Sequence, residues 1–162
     1  MNSGTFITYD VWLDETVRDD FAKARRKATF RRLLNWLRRQ DNRLLSFDSV
    51  RECMTFGGQR DLGVRQVSID LIVGSVGRSL EFDRTFLPRY EQDEHRWIQV
   101  DKAYHEGLSL PAVKLYKIGQ DYFVEDGNHR ISVARHHGQE YVEAHVIEID
   151  MADSDECIVD EA

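Results

Sequence analysis

The chain has 162 residues, which is enough for one compact domain with a hydrophobic core. Hydrophobic residues make up 41% and charged residues 31% of it, and this composition excludes a disordered or collagen-like protein. The formal net charge of -7 argues against a protein that binds nucleic acid over its whole surface.

The sequence contains no segment that predicts a membrane span or a secretion signal. No stretch approaches the roughly 18 consecutive apolar residues of a transmembrane helix, and no apolar run follows a basic N-terminus. Cys53 and Cys157 lie far apart and form no C-x-x-C pair, so we predict reduced thiols and no disulfide or cysteine zinc site. We therefore expect a cytoplasmic protein with no membrane partner.

The charges are unevenly distributed along the chain. Residues 18–43 hold ten lysines and arginines against three aspartates, whereas residues 148–162 hold seven acidic residues and no basic one. The acidic average thus conceals a basic segment, and any contact with an anionic polymer is expected to be local.

The first third of the chain predicts a basic helix whose start Asp14 or Thr16 can cap. Two apolar stripes at helical spacing fall on nearly opposite sides of one continuous helix, so the helix either breaks near residue 28 or lies between two surfaces. The stripes are Val17, Phe21, Ala24 and Ala28, followed by Phe30, Leu33, Leu34 and Leu37.

The basic residues of this helix leave three interpretations open. They spread around the helix, which is typical of a solvated and partly packed surface. They also permit contact with an anionic polymer such as DNA. A membrane-surface helix fits less well because no single large apolar face is present. The candidate DNA contacts are Arg25, Arg26, Arg31 and Arg32.

The middle of the chain predicts a strand between two glycine-bearing loops. Gly57, Gly58 and Gly63 bracket a polar loop, and residues 64–73 alternate and then become apolar, as in a strand that ends at the loop 74–78.

Short helical segments are predicted next. The stretch 90–97 is polar, and residues 100–105 predict a helix that stops at Gly107. A short helix or turn precedes Pro88, and its apolar residues are Phe82, Phe86 and Leu87.

The last third has the clearest pattern. Residues 112–118 and 121–125 predict two strands of a hairpin. A helix over 129–137 follows, with Gly138 as its C-terminal cap, and then a strand over 141–149. These elements predict an α+β protein with a small mixed β-sheet, preceded by a basic N-terminal helix.

Three regions follow from this organisation. We expect a basic, helical extension over residues 1–60, a core domain over residues 61–149, and an acidic, flexible tail over residues 150–162.

The junction between the hairpin and the last helix carries the strongest chemical signal. Gly127 permits a positive φ and a close approach of the backbone to an anion. Asn128 can cap the helix, and the free N–H groups of the first helical turn can bind phosphate. His129 can exchange a proton and Arg130 offers a forked cation. An ordinary Asp-Gly turn without a ligand is an equally simple interpretation.

Two carboxylates precede this glycine. Glu125 and Asp126 can position a divalent metal beside phosphates or act as a general base. The loop 74–78 offers a second, weaker anion site through Ser75, Gly77 and Arg78, since a bare G-x-x-G is also an ordinary turn.

Four of the other histidines, and the tryptophans, predict no site by themselves. His95 and His105 lack ligand spacing, and a metal role for His136 or His137 needs partners that the sequence does not indicate, so all four are interpreted as structural or solvated. The tryptophans are predicted to be core or interface anchors, namely Trp12, Trp36 and Trp97.

The hairpin, the segment Asp126–Arg130 and the helix and strand that follow resemble the nucleotide-binding core of the ParB/sulfiredoxin superfamily. Members of this superfamily include domains described as ParB-like nucleases. The resemblance covers roughly residues 65–149 and includes the strand and loop 69–78. In that superfamily a Gly-x-x-Arg or Gly-x-His-Arg box at a helix start cradles nucleotide phosphates. The matching residues here are Gly127, Asn128, His129 and Arg130.

Departures from the superfamily's patterns narrow what the resemblance implies. A sulfinic acid reductase should have a cysteine within the box, where this sequence has Asn128. A DNA clamp of chromosome segregation should have a helix-turn-helix domain after the core, where this sequence has acidic residues. The Asp-Gly-x-His-Arg form is closer to kinases of free serine, which implies Asp126 and His129 near a transferred phosphate.

We therefore expect a protein that binds ATP or CTP with Mg²⁺ and hydrolyses the nucleotide or transfers a phosphoryl group to a small molecule. Glu125, Asp126 and His129 are the candidate catalytic residues. Asp126 would help to place Mg²⁺ through the nucleotide, without a direct protein metal site. The alternatives are a DNA-binding regulatory protein that uses residues 18–43, and a metal-dependent ParB-like nuclease. A homodimer is the candidate assembly.

Overall fold

The computed structural model describes residues 3–37, 43–52 and 56–151, and within them the side chains of residues 9–30, 43–52 and 57–150. Most of the predicted acidic tail, from residue 152 onward, lies outside the described residues. So do the side chains of Arg31, Arg32 and Trp36 and the whole of Cys53 and Cys157.

Four helices and six strands make up the described part of the chain. The helices are α1 (Ser3–Leu37), α2 (Phe47–Glu52), α3 (Glu94–His105) and α4 (Asn128–His136). The strands are β1 (Leu45–Ser46), β2 (Phe56–Ser68), β3 (Ile72–Ser75), β4 (Val113–Ile118), β5 (Asp121–Asp126) and β6 (Tyr141–Met151). Short 3-10 helices occupy Ile69–Leu71 and Glu91–Asp93.

The six strands form one mixed sheet in the order β1-β3-β5-β4-β6-β2. β3 pairs in parallel with β1 and β5, and β4 pairs in parallel with β6. The β4–β5 hairpin and the β2–β6 pair are antiparallel. The predicted α+β class with a small mixed sheet is therefore confirmed.

The predicted strand over residues 64–73 is wrong, because two strands and a 3-10 helix share this segment. β2 begins at Phe56 and includes the glycines that were expected to bracket a loop. It pairs with β6 over most of its length, and an irregularity between Asp61 and Val64 accommodates Gly63 at a φ of 70°. The chain then turns through Ile69–Leu71 before β3 enters the other half of the sheet.

Residues 1–60 contain more than the expected helical extension. β1 and the first part of β2 belong to the same sheet as the later strands, so the boundary at residue 60 falls inside β2. At the other end, β6 continues through Asp150 to Met151, because both residues pair with β2. Backbone hydrogen bonds between β2 and β6 therefore make both strands longer than the alternation of their side chains predicts.

α1 is one continuous helix, so the first of the two alternatives, a break near residue 28, does not occur. The capping role of Asp14 or Thr16 is also wrong, since the helix begins at Ser3 and the Thr16 hydroxyl donates a hydrogen bond to the Trp12 carbonyl. Of the two apolar stripes the first is buried, whereas Phe30 at the start of the second is 61% exposed. The first stripe fixes the face of α1 that meets the rest of the protein.

A helical layer covers the sheet at the point where α1, α3 and α4 meet. Phe21, Trp97 and Val133 pack there in one apolar cluster, and the Trp97 indole N–H donates a hydrogen bond to the Ser132 hydroxyl at 2.9 Å. The core role predicted for Trp97 is confirmed, while Trp12 is 54% exposed. None of the described helices combines the length and the apolar character that a membrane span requires.

α3 begins six residues earlier than predicted. It starts at Glu94 and takes in part of the stretch that was interpreted only as polar. The buried Trp97 and the half-buried Val100 and Tyr104 lie at helical spacing, so the packing of one face stabilises a helix whose other face is polar.

Candidate anion-binding site

The turn from β5 into α4 has the backbone geometry that the sequence predicts. Gly127 precedes the helix as its N-cap at a φ of 109°, in the left-handed region. Asn128 is the first residue of α4, so its predicted role as side-chain cap is wrong. The first backbone hydrogen bond of the helix runs from the Ile131 N–H to the Gly127 carbonyl. The preceding N–H groups, those of residues 128–130, therefore have no partner within the helix.

A cavity of about 290 Å³ adjoins this helix start. The β5–α4 junction forms one wall, the loop after β3 contributes Arg78, and α3 contributes Arg96 and Val100. Its lining residues are Arg78, Arg96, Val100, Glu125, Asp126, Gly127, Asn128, His129 and Arg130. The structure thus brings the predicted box and the predicted Arg78 into one cavity.

Two lining side chains are buried and have polar atoms without a hydrogen-bonding partner. Asn128 is 4% and His129 is 8% exposed. The Asn128 Oδ1 atom and both ring nitrogens of His129 lack a partner. A buried polar atom without a partner is costly, and a ligand or ordered water in the cavity would satisfy it.

His129 is held as a neutral imidazole. Its ring packs edge-on against Phe82 at 5.3 Å between the centroids. Burial and the nearby charges of Arg78 and Arg96 lower its pKa to about 4. At neutral pH the side chain can therefore donate one hydrogen bond and accept another, and it carries no charge of its own.

The three arginines of the cavity differ in how they are held. Arg130 donates to the carbonyls of Pro111 and Ala112 and pairs with Asp126 at 2.7 Å, so it is mainly committed to fixing the junction. Arg78 pairs with Glu81 at 2.9 Å.

Arg96 differs from the other two arginines of the cavity. No residue in the described ranges forms an ion pair or hydrogen bond with it, and its side chain is exposed. Arg96 is therefore the cation of the cavity that is most available to an incoming anion.

The two carboxylates expected near phosphate also line the cavity. Glu125 and Asp126 are both exposed at the end of β5. Nearby, the buried Asp93 has a raised pKa because of burial and the charge of Glu81, which Arg78 and Arg96 partly offset. The cavity therefore combines arginines and an amide-rich helix start with carboxylates at its rim.

Two residues of the expected phosphate site lie elsewhere. Ser75 is completely buried in β3, and its hydroxyl donates to the Val124 carbonyl at 3.3 Å. Gly77 is exposed at a φ of 76° and does not belong to the cavity lining. Of the loop after β3, only Arg78 lines the cavity, because the strand pairing buries Ser75 in the sheet.

Arg96 and Val100 are the lining residues that the sequence did not indicate. They lie four residues apart and therefore on one face of α3. The apolar spacing from Trp97 to Tyr104 would have extended the predicted helix far enough to include Arg96. No sequence pattern would have placed that helix face over the start of α4.

The candidate DNA contacts on α1 are partly neutralised. Arg25 pairs with Glu91 at 2.7 Å, and Arg26 lies 3.8 Å from Asp19. The side chains of Arg31 and Arg32 are outside the described residues. The exposed part of α1 is thus a surface of mixed charge between residues 19 and 26.

Comparisons with known proteins give no match. No protein-family model, no curated protein and no solved structure is significantly similar to the chain.

Proposed function

We propose that this protein binds the phosphate groups of a nucleotide, ATP or CTP with Mg²⁺, in the cavity at the start of α4. One observation carries the proposal: the residues of the first turn, whose N–H groups have no partner within the helix, line a cavity in which polar side-chain atoms of the buried Asn128 and His129 lack partners. Helix starts of this kind favour anions through both their N–H groups and the helix dipole. The arginines supply further charge-assisted hydrogen bonds.

The residues have distinct roles in this proposal. Gly127 keeps the backbone open to the phosphates, and Arg130 holds the junction through Pro111, Ala112 and Asp126. Arg96 and Arg78 would contact phosphate oxygens from the opposite side. The cavity volume lies near the lower end of the range for small-molecule sites, which fits a phosphate chain better than an entire enclosed nucleotide.

The carboxylates are suited to Mg²⁺ held together with phosphates. Mg²⁺ is commonly bound by one or two carboxylates together with substrate phosphates, whose charge it neutralises. Glu125 and Asp126 are exposed at the rim of the cavity and provide that number of carboxylates. In a phosphoryl transfer or hydrolysis, the exposed Glu125 is the carboxylate free to accept a proton, since Asp126 pairs with Arg130.

A ParB/sulfiredoxin-like core is part of the same proposal. The parallel β3–β5 pair, the β4–β5 hairpin, the box at the start of α4 and the final strand occur in the expected order. The superfamily resemblance supports nucleotide as the ligand, because the box that it describes is the helix start that lines the cavity.

The two alternative functions, a metal-dependent nuclease and a DNA-binding regulatory protein, have less support. A nuclease that binds its metal directly needs several converging ligands, and in the described part of the chain no third histidine or carboxylate joins Glu125 and Asp126 in a metal-binding group. The ion pairs of Arg25 and Arg26 argue against a DNA-binding role for residues 18–43.

Calorimetric titration of the full chain with MgATP, MgCTP and inorganic tripolyphosphate tests the proposal. We expect saturable binding of at least one nucleotide and of tripolyphosphate, and a loss of about tenfold to a hundredfold in affinity in Arg96→Ala, since hydrogen bonds to charged groups contribute about 1.5–3 kcal/mol. Arg96 has no structural partner in the regions described, so this substitution should leave the fold intact.

Arg65→Ala is the matched control. Arg65 is an exposed arginine of β2, at the edge of the sheet, and its side chain donates a hydrogen bond to the Leu62 carbonyl. The affinity should be unchanged in this variant. Absence of binding to all three ligands, or equal affinities in Arg96→Ala and Arg65→Ala, would contradict the proposal.

A further inference from the structure

A second group of polar side chains lies where α1, α3 and the end of α4 meet. Asp20 comes from α1, Asp101 and His105 from α3, and His137 follows α4 directly. One ligand atom from each of these four residues lies within 4.8 Å of the others. We call this group the Asp/His cluster.

The spacing within the cluster resembles that of the ligands around a small cation. His137 Nε2 lies 2.6 Å from Asp101 Oδ1. His105 Nε2 lies 3.2 Å from Asp20 Oδ2 and 3.8 Å from Asp101 Oδ2. Ligands at 2.0–2.2 Å from a tetrahedral zinc ion are separated by about 3.4 Å, so a metal ion would require only small side-chain adjustments.

The burial of the cluster provides a second, independent indication of a ligand. Asp101 is completely buried, and its Oδ2 atom has no hydrogen-bonding partner. Asp20 is 8% exposed, and its nearest lysine, Lys23, donates to Oδ1 at 3.2 Å. Two buried carboxylates thus lie close together. In the described part of the chain, the only other cationic or titratable side chains that contact them are one lysine and the neighbouring histidines. A divalent cation would compensate this charge.

Neighbouring residues fix the orientation of the cluster. Asp101 and His105 lie four residues apart on the same face of α3. The ring of Tyr104 stacks on that of His137 at 4.1 Å with an interplanar angle of 13°. His136 approaches Asp20 at 3.8 Å from the end of α4. Such packing holds ligating side chains in place before a metal binds.

We propose that Asp20, Asp101, His105 and His137 bind one divalent transition-metal ion of the zinc type. Two imidazoles and two carboxylates favour zinc over magnesium or calcium, which prefer oxygen ligands. Four protein ligands close the coordination shell, which is the pattern of a structural site. The ion would tie α1 to α3 and α4, and the proposal does not depend on nucleotide binding at the other end of α4.

The experiment uses the full chain after treatment with a chelator and titrates it with Zn²⁺ alone. We expect one equivalent to bind and to raise the melting temperature. In His105→Gln and His137→Gln, which retain hydrogen-bonding capacity but lose a zinc ligand, the affinity should fall at least tenfold. Failure of the wild-type protein to bind Zn²⁺, or unchanged affinity in both variants, would overturn the proposal.

His145→Gln is the matched control, because His145 forms a similar pair with Asp61 at 2.8 Å on the β2–β6 edge, outside the cluster. Its Zn²⁺ affinity should equal that of the wild type. An absorption spectrum of the wild-type protein with Co²⁺ tests the proposed metal site even if the cluster variants do not fold. Tetrahedral bands support the closed four-ligand site, and the spectrum of hydrated Co²⁺ contradicts it.

Discussion

His129 is a buried histidine whose two ring nitrogens lack partners, and this makes it the residue most sensitive to a ligand in the cavity. Its pKa of about 4 results from burial and from the positive charges of Arg78 and Arg96. An anion bound among these groups would act in the opposite direction and favour the charged imidazole. The protonation of His129 therefore reports directly on the occupancy of the cavity.

We expect NMR titration to find His129 neutral down to about pH 4 in the free protein, and a higher pKa when tripolyphosphate is bound. The unfolded chain binds this proton near pH 6.5, whereas the folded chain binds it only near pH 4. The contribution of His129 to the free energy of unfolding is therefore fully present above pH 6.5, and it is lost as the pH falls from 6.5 to 4.

Unfolding experiments check the sign of this pH dependence. Between pH 6.5 and 4, the free energy of unfolding should fall more steeply in the wild type than in His129→Gln, which has no group that titrates at this position. Parallel curves for the two proteins would show that burial does not lower the pKa of His129. A His129 pKa that tripolyphosphate leaves unchanged would show that the ring does not lie near the bound anion.

The junction between β5 and α4 is the element that forms the cavity, and its geometry depends on Gly127. The left-handed φ of 109° excludes most side chains. A Cβ atom at this position would lie 2.6 Å from Val113 Cγ1 in β4 and 3.1 Å from Arg130 Nε. The junction therefore packs tightly against both the hairpin and the arginine that holds it.

We expect Gly127→Ala to lower the free energy of unfolding by about 1–3 kcal/mol from backbone strain, with an additional loss from the clash with Val113. Binding of tripolyphosphate should fall with it. Gly138→Ala is the control, since Gly138 also has a positive φ, of 72°, but an added Cβ would meet no atom within 4 Å. Equal losses of stability in both variants, measured by chemical denaturation, would contradict the close packing of the junction.

The same elements explain which parts of the fold could be predicted from the sequence. The β4–β5 hairpin, α4 and β6 were predicted to within two residues at each end, because side-chain alternation and the glycines at 119, 127 and 138 act locally. The division between β2 and β3 could not be predicted, since an apolar run does not reveal where the chain changes its position in the sheet.

The candidate site was predictable only in part, for a similar reason. Gly127 and Arg130 carry a local signal, whereas the position of Arg96 depends on how α3 packs over α4. The Asp/His cluster is a stronger example. Asp101 and His105 share one face of α3, but only the meeting of three helices brings Asp20 and His137 beside them. Contacts between distant segments are set by tertiary packing, which a residue pattern does not record.

In the whole molecule, the order of the strands brings the separate parts of the cavity together. β3 and β5 are parallel neighbours, so the loops that follow them emerge at the same edge of the sheet and place Arg78 beside the start of α4. α3 covers this edge, and α4 runs from the cavity to the Asp/His cluster. The net charge of -7 does not describe this edge, where three arginines surround a helix start.

The central claim is that the start of α4 binds phosphate groups, and a residue-resolved titration of the ¹⁵N-labelled chain with tripolyphosphate and then MgATP tests it most directly. We predict saturable shifts of the backbone amides of residues 128–130, strongly reduced in Arg96→Ala and unchanged in Arg65→Ala. Amide shifts confined to α1, or no shifts at saturating concentrations of both ligands, would contradict the account.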